Sequence, residues 1–415
     1  MITTTRRTWL TGATAASLIP GTLRHARAQT GPIKIGFLGP LSGPAQIVGM
    51  ELRVGAETAR DLINRQGGIG GRQIEITFAD DRGDPNMTIS GAHELAGQGA
   101  NLVLGMALLS SIMALLPQLQ SLNMLIQING ATDERLSHEL FNRNMFITTP
   151  NNVIRQGALA EMVAAKYPDV TGWVCAIQDS AQSRSSWARF GKSLSAAYEQ
   201  KRGKILKLED PLTAKVGATD FKPLISQLAA SPAKGLFHSL VGSDGVSFFQ
   251  QARAFGLDKK FTVIAENALD MDLPKALKRS MPDNVYSLSF WSPNVTPNDP
   301  RGQELTKAYA AATKDPYPHG LAALGYVSLQ LYAEAIRQTG STDPARIIPA
   351  LETMKFDTIR GLGFFRKEDH QFLATTCVVH FTAAQTEAGW GVESVTAVDD
   401  ASMVNPATPG IPIAM

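Results

Sequence analysis

The sequence predicts an α/β protein built on parallel sheets and divided into two lobes. Three observations carry this. The stretch Ile33–Asp84 reads as strand, helix, strand with tight joints. Ile33–Leu38 is a β-branched and apolar run closed by Gly39–Pro40, Val54, Ala56, Ala59, Leu62 and Ile63 recur at helical spacing, and Gln73–Ala79 is a second strand. Such a unit implies a parallel sheet with helices on its faces. Alternation of the same kind begins afresh at Gly172, and 415 residues are enough for two separate cores.

In the opening unit, Glu57, Arg60, Asp61 and Asn64 fill the polar face of the helix, and Gly67–Gly71 stops it. Asp84 is placed to cap the next helix, with Pro85 in its first turn. The acids Asp80, Asp81 and Asp84 lack the calcium-loop spacing and read as a turn with a cap. Then come helix Thr88–Gln98, strand Leu102–Gly105, loop Met106–Ser111, helix Ser111–Leu122 and strand Asn123–Ile128. Asn129–Asp133 is a small-residue loop that opens a helix near Thr132. The chain passes into a second domain around Asn144–Asn152. Expected there are helix Val153–Lys166, strand Gly172–Ile177, polar loop Gln178–Ser186, helix Trp187–Lys201 and strand Ile205–Leu208. Helix Asp220–Ala230, strand Gly235–His238, helix Gly245–Phe255 and strand Phe261–Ala265 follow, ending at Glu266–Asn267. A strand near Asn284–Phe290 leads back to the first domain, with helices Gly302–Thr313, Leu321–Gln338 and one near Ala345–Met354. Gly361–Phe381 reads as a strand pair, and the last twenty or so residues as a loosely held tail.

The N-terminus reads as an export signal. Arg6 and Arg7 precede the small, mildly apolar run Gly12–Leu23, and Ala26–Ala28 is an A-x-A cleavage site. Paired arginines before a weak apolar region favour the twin-arginine route and a periplasmic location. Removing Met1–Ala28 takes away four arginines and no acid, so the formal charge of +2 becomes about −2. A chain that is not basic is a poor nucleic-acid partner. Cys175 and Cys377 each lie in an apolar strand-like run and read as two buried free thiols. The seven histidines form no H-E-x-x-H pattern, there is no G-x-S-x-G elbow or P-loop, and Gly67–Gly71 follows a helix rather than a strand. The sequence therefore predicts no enzyme, no metal and no cofactor.

The pattern IGFLGPLSGP, then GAE…A…IN..GGIGGR.I.I…DD..DP, resembles the opening of the periplasmic leucine/isoleucine/valine-binding proteins, the type I solute-binding proteins of ABC importers. The resemblance runs at lower density to about Phe381. It implies the two-lobed type I periplasmic-binding-protein fold, in which lobes joined by several chain crossings close on a ligand. The expected division is signal peptide 1–28, first lobe 29–148 and 284–360, second lobe 149–283, and C-terminal strands and tail 361–415 at the hinge and second lobe. It also implies a monomer that delivers a small carboxylate-bearing solute, an amino acid or related compound, to the permease subunits. A ligand-sensing module of the same fold and the binding of non-amino organic or aromatic acids stay open as alternatives.

In α/β sheets the ligand lies at the carboxyl ends of the strands. Ser42 and Gly43, Leu109 and Ser110, and Gly130, Ala131 and Thr132 would face the cleft from the first lobe. Gly130–Thr132 falls on the family's Ala-Ala-Thr, which holds the ligand carboxylate; the serine loop matches only with a slip of one residue between Ser110 and Ser111. In the second lobe Ser183 and Val241 fall where the family has aromatics, so both aromatics are missing. Glu266 falls on the glutamate that holds the ligand ammonium. A buried carboxylate needs a partner, which is either the ligand or a protein Lys or Arg.

Overall fold

The computed structural model describes residues 31–413; the expected export signal and cleavage site lie outside them. The chain order is β1 (Ile33–Gly39), α1 (Gln46–Arg65), β2 (Ile74–Asp80), α2 (Pro85–Gly97), β3 (Leu102–Met106), α3 (Leu109–Leu115), β4 (Leu125–Ile128), β5 (Met145–Ile147), α4 (Asn152–Lys166), β6 (Gly172–Gln178) and α5 (Ala181–Arg202). Then come β7 (Lys207–Leu208), β8 (Leu212–Ala214), α6 (Lys222–Ala230), β9 (Gly235–Ser239), α7 (Gly242–Ala254), α8 (Leu257–Lys260), β10 (Val263–Glu266), α9 (Asp272–Leu277) and β11 (Val285–Ser289). The chain ends with α10 (Pro300–Thr313), α11 (Gly320–Thr339), α12 (Pro344–Leu351), β12 (Lys355–Thr358), β13 (Gly361–Phe365), β14 (Phe372–Leu373), β15 (Thr375–Ala383) and β16 (Trp390–Asp399).

The first lobe holds a parallel sheet in the order β2-β1-β3-β4-β5. Alternation along β1 divides its two apolar layers. Ile33, Ile35 and Phe37 pack with α1 and α11, while Leu38 packs with Ala92 and Leu95 of α2. The second lobe's sheet runs β16-β15-β11-β10-β9-β6-β7, with β8 also on β6. Trp173, Cys175 and Ile177 of β6 face α4 and α5, and Val174 and Ala176 face α6 and α7. Strands β6 to β11 are parallel; β15 and β16 are antiparallel additions. A small antiparallel sheet, β12-β13-β14, sits beside the first lobe.

The chain therefore crosses between the sheets after β5, after β11 and between β14 and β15. These crossings place the carboxyl ends of β1–β5 and of β6–β11 at one junction. In the first lobe, α1 and α11 meet backbone to backbone. A Cβ on Gly55 would lie 1.8 Å from the Ala322 carbonyl oxygen, and one on Gly325 would lie 2.0 Å from that of Leu52.

Several local expectations change. The helix expected at Thr132 is a short 3-10 turn, Glu134–Ser137, capped by Asp133. Helix α5 starts at Ala181 on the Ser180 cap, so most of the expected polar loop is helical. Helix α3 starts at Leu109, which takes Ser110 and Ser111 out of the loop. The tail is not loose. Its first part is β16, and further on Thr408 and Gly410 meet the first lobe. There the Thr408 hydroxyl lies 2.6 Å from His138 Nδ1, and the Gly410 amide donates to the His138 carbonyl at 2.7 Å. Asp84 does cap α2, accepting from the amides of Asn86 and Met87. Cys175 and Cys377 are buried free thiols, and burial pushes the Cys175 thiol up to about 12. Among the described residues, no helix is long and apolar enough to cross a membrane.

Candidate ligand site

At the end of β1, Asp80 braces the loop. Its carboxylate accepts from the amides of Leu41 and Ser42 at 2.9 and 3.2 Å and from Ser42 Oγ at 2.5 Å. Against the push of burial, these bonds and one from the Arg82 amide hold the acid below the usual carboxylate range. The Ser42 hydroxyl is thus engaged within the loop, and Gly43 is exposed beside it. At the end of β3, Leu109 is half-buried and Ser110 exposed in the first turn of α3. Ser111 is buried and meets Thr88 Oγ1 at 2.8 Å, so it belongs to the core behind the loop.

At the end of β4, Asn129 fixes the small-residue loop, accepting from the Gly105 amide and donating to Thr148 and Ser328. Thr132 then touches the second lobe twice. Its carbonyl accepts from the Asn152 amide at 2.9 Å, at the start of α4, and its hydroxyl accepts from Gln182 of α5 at 3.3 Å. One turn further on, Glu134 pairs with Arg189 of α5 at 2.6 Å. These contacts join the two lobes along this line.

From the second lobe, Ser183 is buried, with its hydroxyl donating to the Ser239 carbonyl at 3.3 Å. It ties the ends of β6 and β9. Val241, just before α7, is half exposed. Glu266 ends β10 with no exposed surface. Its carboxylate accepts from the amides of Ala268, Leu269 and Asp270 at 2.5, 2.8 and 3.3 Å. Its own loop thus supplies three hydrogen bonds, a set of partners that the sequence reading did not weigh.

The same junction contains residues the sequence reading passed over. Arg155, in α4, is buried; one amino group donates to the Asn267 carbonyl at 3.1 Å, and the guanidinium stacks 4.4 Å over the Phe290 ring. Burial pushes it down to about 10, although Asp270 and Glu266 pull the other way. Asp270 accepts from Ser289 Oγ at 2.9 Å, and burial pushes its carboxyl up to about 7. Arg155 Nη1, Asp270 Oδ1 and Glu51 Oε2 are buried without a hydrogen-bond partner. His319, which caps α11, is also buried here, and burial depresses it against the charges of Asp272 and Glu51. One signal in the sequence pointed to Arg155. It is a cation inside Val153–Leu159, a run otherwise apolar apart from Gln156.

Chemically, this arrangement is suited to holding a small polar solute. It offers a fixed cation, an acid, an aromatic face and backbone loops from two lobes. Among the described residues no group of three or more His, Cys, Asp or Glu is set to hold a metal. A groove of about 790 Å³ between α1 and α10 lies away from these strand ends and is lined by Arg60, Asp61, Arg65 and Glu304, which are already ion-paired.

A family model described as periplasmic binding protein matches residues 32–387. The chain belongs to that family. This periplasmic binding protein is 25% identical over 379 residues to the leucine-, isoleucine-, valine-, threonine- and alanine-binding protein of Pseudomonas aeruginosa, covering 90% of this chain and 96% of the relative. The branched-chain amino acid transporter substrate binding protein LivJ of Streptococcus pneumoniae, solved with isoleucine, superposes with a TM-score of 0.72 at 24% identity, covering 89% and 99% of the two chains. A Rhodopseudomonas palustris ABC-transporter solute binding protein, solved with 3,4-dihydroxybenzoic acid, gives 0.74 at 18% identity, covering 90% and 99%. The two-lobed fold of these proteins is the fold found here, and the family places this binding protein in the periplasm.

Asp270 gives the binding protein a pH dependence of definite sign. Its native carboxyl titrates near 7, above the ordinary 3.8, so the native state holds a proton that the unfolded state releases. The stability this gives is full below about pH 4 and is lost as the pH rises through about 7. Asp270→Asn keeps an acceptor for Ser289 and removes the titration. Urea denaturation at about pH 5 and about pH 8 is expected to show a smaller fall in stability for the variant than for wild type.

Proposed function

We propose that this binding protein captures a small carboxylate-bearing solute between its lobes and delivers it to the permease subunits of an ABC importer. It would act as an exported monomer, with Met1–Ala28 directing it to the twin-arginine route. The observation that carries the reading is the meeting of strand-end loops from both lobes at Thr132, Asn152 and Gln182. In this reading Gly130–Thr132 contacts the acid end, flanked by Ser42–Gly43 and Leu109–Ser110. Val241 borders the solute from the other lobe, where Ser183 and Glu266 hold the wall in shape.

The Pseudomonas aeruginosa relative is named for leucine, isoleucine, valine, threonine and alanine, whereas some structural neighbours were solved with 3,4-dihydroxybenzoic acid, benzoate or 4-hydroxybenzoate. One observation favours a plain organic acid over an amino acid. Glu266, the acid expected to meet an ammonium group, already accepts three backbone amides.

Capture predicts stabilisation and compaction. A thermal-shift screen of amino acids beside their deaminated and aromatic counterparts should yield a solute that raises the melting temperature. At a hundredfold excess over Kd the gain is about 2.7 kcal/mol. Small-angle scattering with that solute should show a smaller radius of gyration, because the lobes close as rigid bodies. An unchanged radius at saturation would remove the closure part of the reading.

A further inference from the structure

We propose that Arg155 is the charge partner of the solute's carboxylate, which makes the cleft selective for an ionised organic acid over its neutral amide. This rests on the capture reading and adds to it a recognition residue that no backbone loop replaces.

A guanidinium loses a large hydration energy on burial unless anions or acceptors replace the water. Arg155 has only partial replacement. One amino group is bonded to the Asn267 carbonyl, and the other, Nη1, has no hydrogen-bond partner although the residue is only 7% exposed. The acids that pull on it, Asp270 and Glu266, make no hydrogen bond to it. Glu266 is held by three backbone amides, and Asp270 is held by Ser289 and retains a proton up to about pH 7. The Phe290 ring lies 4.4 Å from the guanidinium carbon, within cation–π range. A planar cation with an unpartnered amino group matches a carboxylate oxygen.

The position also fits. Asn267 follows β10 and Phe290 follows β11, so both contacts lie at strand carboxyl ends. Asn152, bonded to the Thr132 carbonyl, precedes Arg155 by one helical turn, about 5 Å. One carboxylate could therefore be reached by the Gly130–Thr132 loop and by Arg155 together. A purely structural arginine would have its N–H groups distributed over protein acceptors, as Arg360 does with Asp400, Thr148 and Thr375.

The test uses full-length mature protein and five probes: isoleucine, phenylalanine, 4-methylpentanoate, benzoate and 4-hydroxybenzoate. The probe with the largest thermal shift is measured by calorimetry on wild type, Arg155→Met and Arg155→Lys, together with its primary amide. Arg155→Met is expected to weaken the acid by about 10- to 100-fold and Arg155→Lys by less. The amide should lose a similar factor on wild type but little more on Arg155→Met, because both changes remove the same pair. Arg155→Lys, which keeps a cation beside the buried acids Glu266 and Asp270, is the folded control for Arg155→Met. Acid binding within threefold of wild type in Arg155→Met, or an amide as tight as the acid, overturns the proposal and leaves capture standing. If Arg155→Met fails to fold, the acid-to-amide ratio on wild type and Arg155→Lys decides, and a ratio that Arg155→Lys leaves unchanged overturns the proposal. If no probe shifts the wild-type protein, both the capture reading and this proposal fail.

Discussion

Arg360→Met is expected to lower folding stability by about 3–5 kcal/mol, because it leaves a buried carboxylate without its counter-ion. Arg360 lies in the turn between β12 and β13 with no exposed surface. Its guanidinium donates to Asp400 Oδ2 at 3.0 Å and to the carbonyls of Thr148 and Thr375, both at 3.1 Å. Thr148 follows β5 at the first chain crossing, Thr375 opens β15 at the last, and Asp400 follows β16. One side chain thus joins the small sheet, two crossings and the end of the second lobe's sheet. Burial works against both charges, lowering the arginine and raising the acid, so the net strength of the pair is modest. Breaking it is costly for another reason: Asp400, which also accepts from the Ala374 amide, would remain buried. Urea denaturation measures the loss, and a change under about 1 kcal/mol would show that the junction tolerates an unpaired acid there. Asp400→Asn, which keeps an acceptor, should cost less.

Gly55→Val should destabilise the first lobe by about 3 kcal/mol or more, at the upper end of overpacking effects. A Cβ at this position would sit 1.8 Å from a carbonyl oxygen of α11. Backbone cannot rotate away as a side chain could, so the helices would have to separate. Separation would strip contacts from the layer formed by Leu52, Ala56, Ala59, Leu324, Val327 and Leu331. Gly97→Ala is the control. It is helical, and a Cβ there meets nothing within 4 Å, so alanine should be neutral or stabilising by about 1 kcal/mol. Equal effects of the two substitutions on the urea midpoint would mean that the close crossing is not limiting.

Much of the fold was legible because its signals are local. β1 reads from the apolar run IKIGFLG, and α2 reads from Asp84–Pro85, a cap and a first-turn proline that act within one turn. Errors arose where local signals were weak or nonlocal packing decided. The start of α5 was obscured because Gln182, Ser183, Arg184, Ser185 and Ser186 are polar and read as loop; the cap at Ser180 sets the boundary. β16 carries a mixed pattern with many exposed positions, and its partner β15 makes it a strand.

The site divides the same way. The loops at the ends of β1, β3 and β4 followed from the strand–helix alternation, since alternation fixes which ends of the strands carry the variable loops. The states of the charged groups did not follow. Glu266 and Arg155 look alike in sequence, each a lone charge beside an apolar run. In the fold one is held by three amides of its own loop, while the other reaches a carbonyl 112 residues away and keeps an N–H group unpartnered. The sequence by itself determined the α/β alternation, the family and the loops that carry the site, because periodicity and caps act over a few residues. Only the tertiary structure decided which buried charges are satisfied, because burial and hydrogen-bond partners depend on segments that meet only when the two lobes assemble.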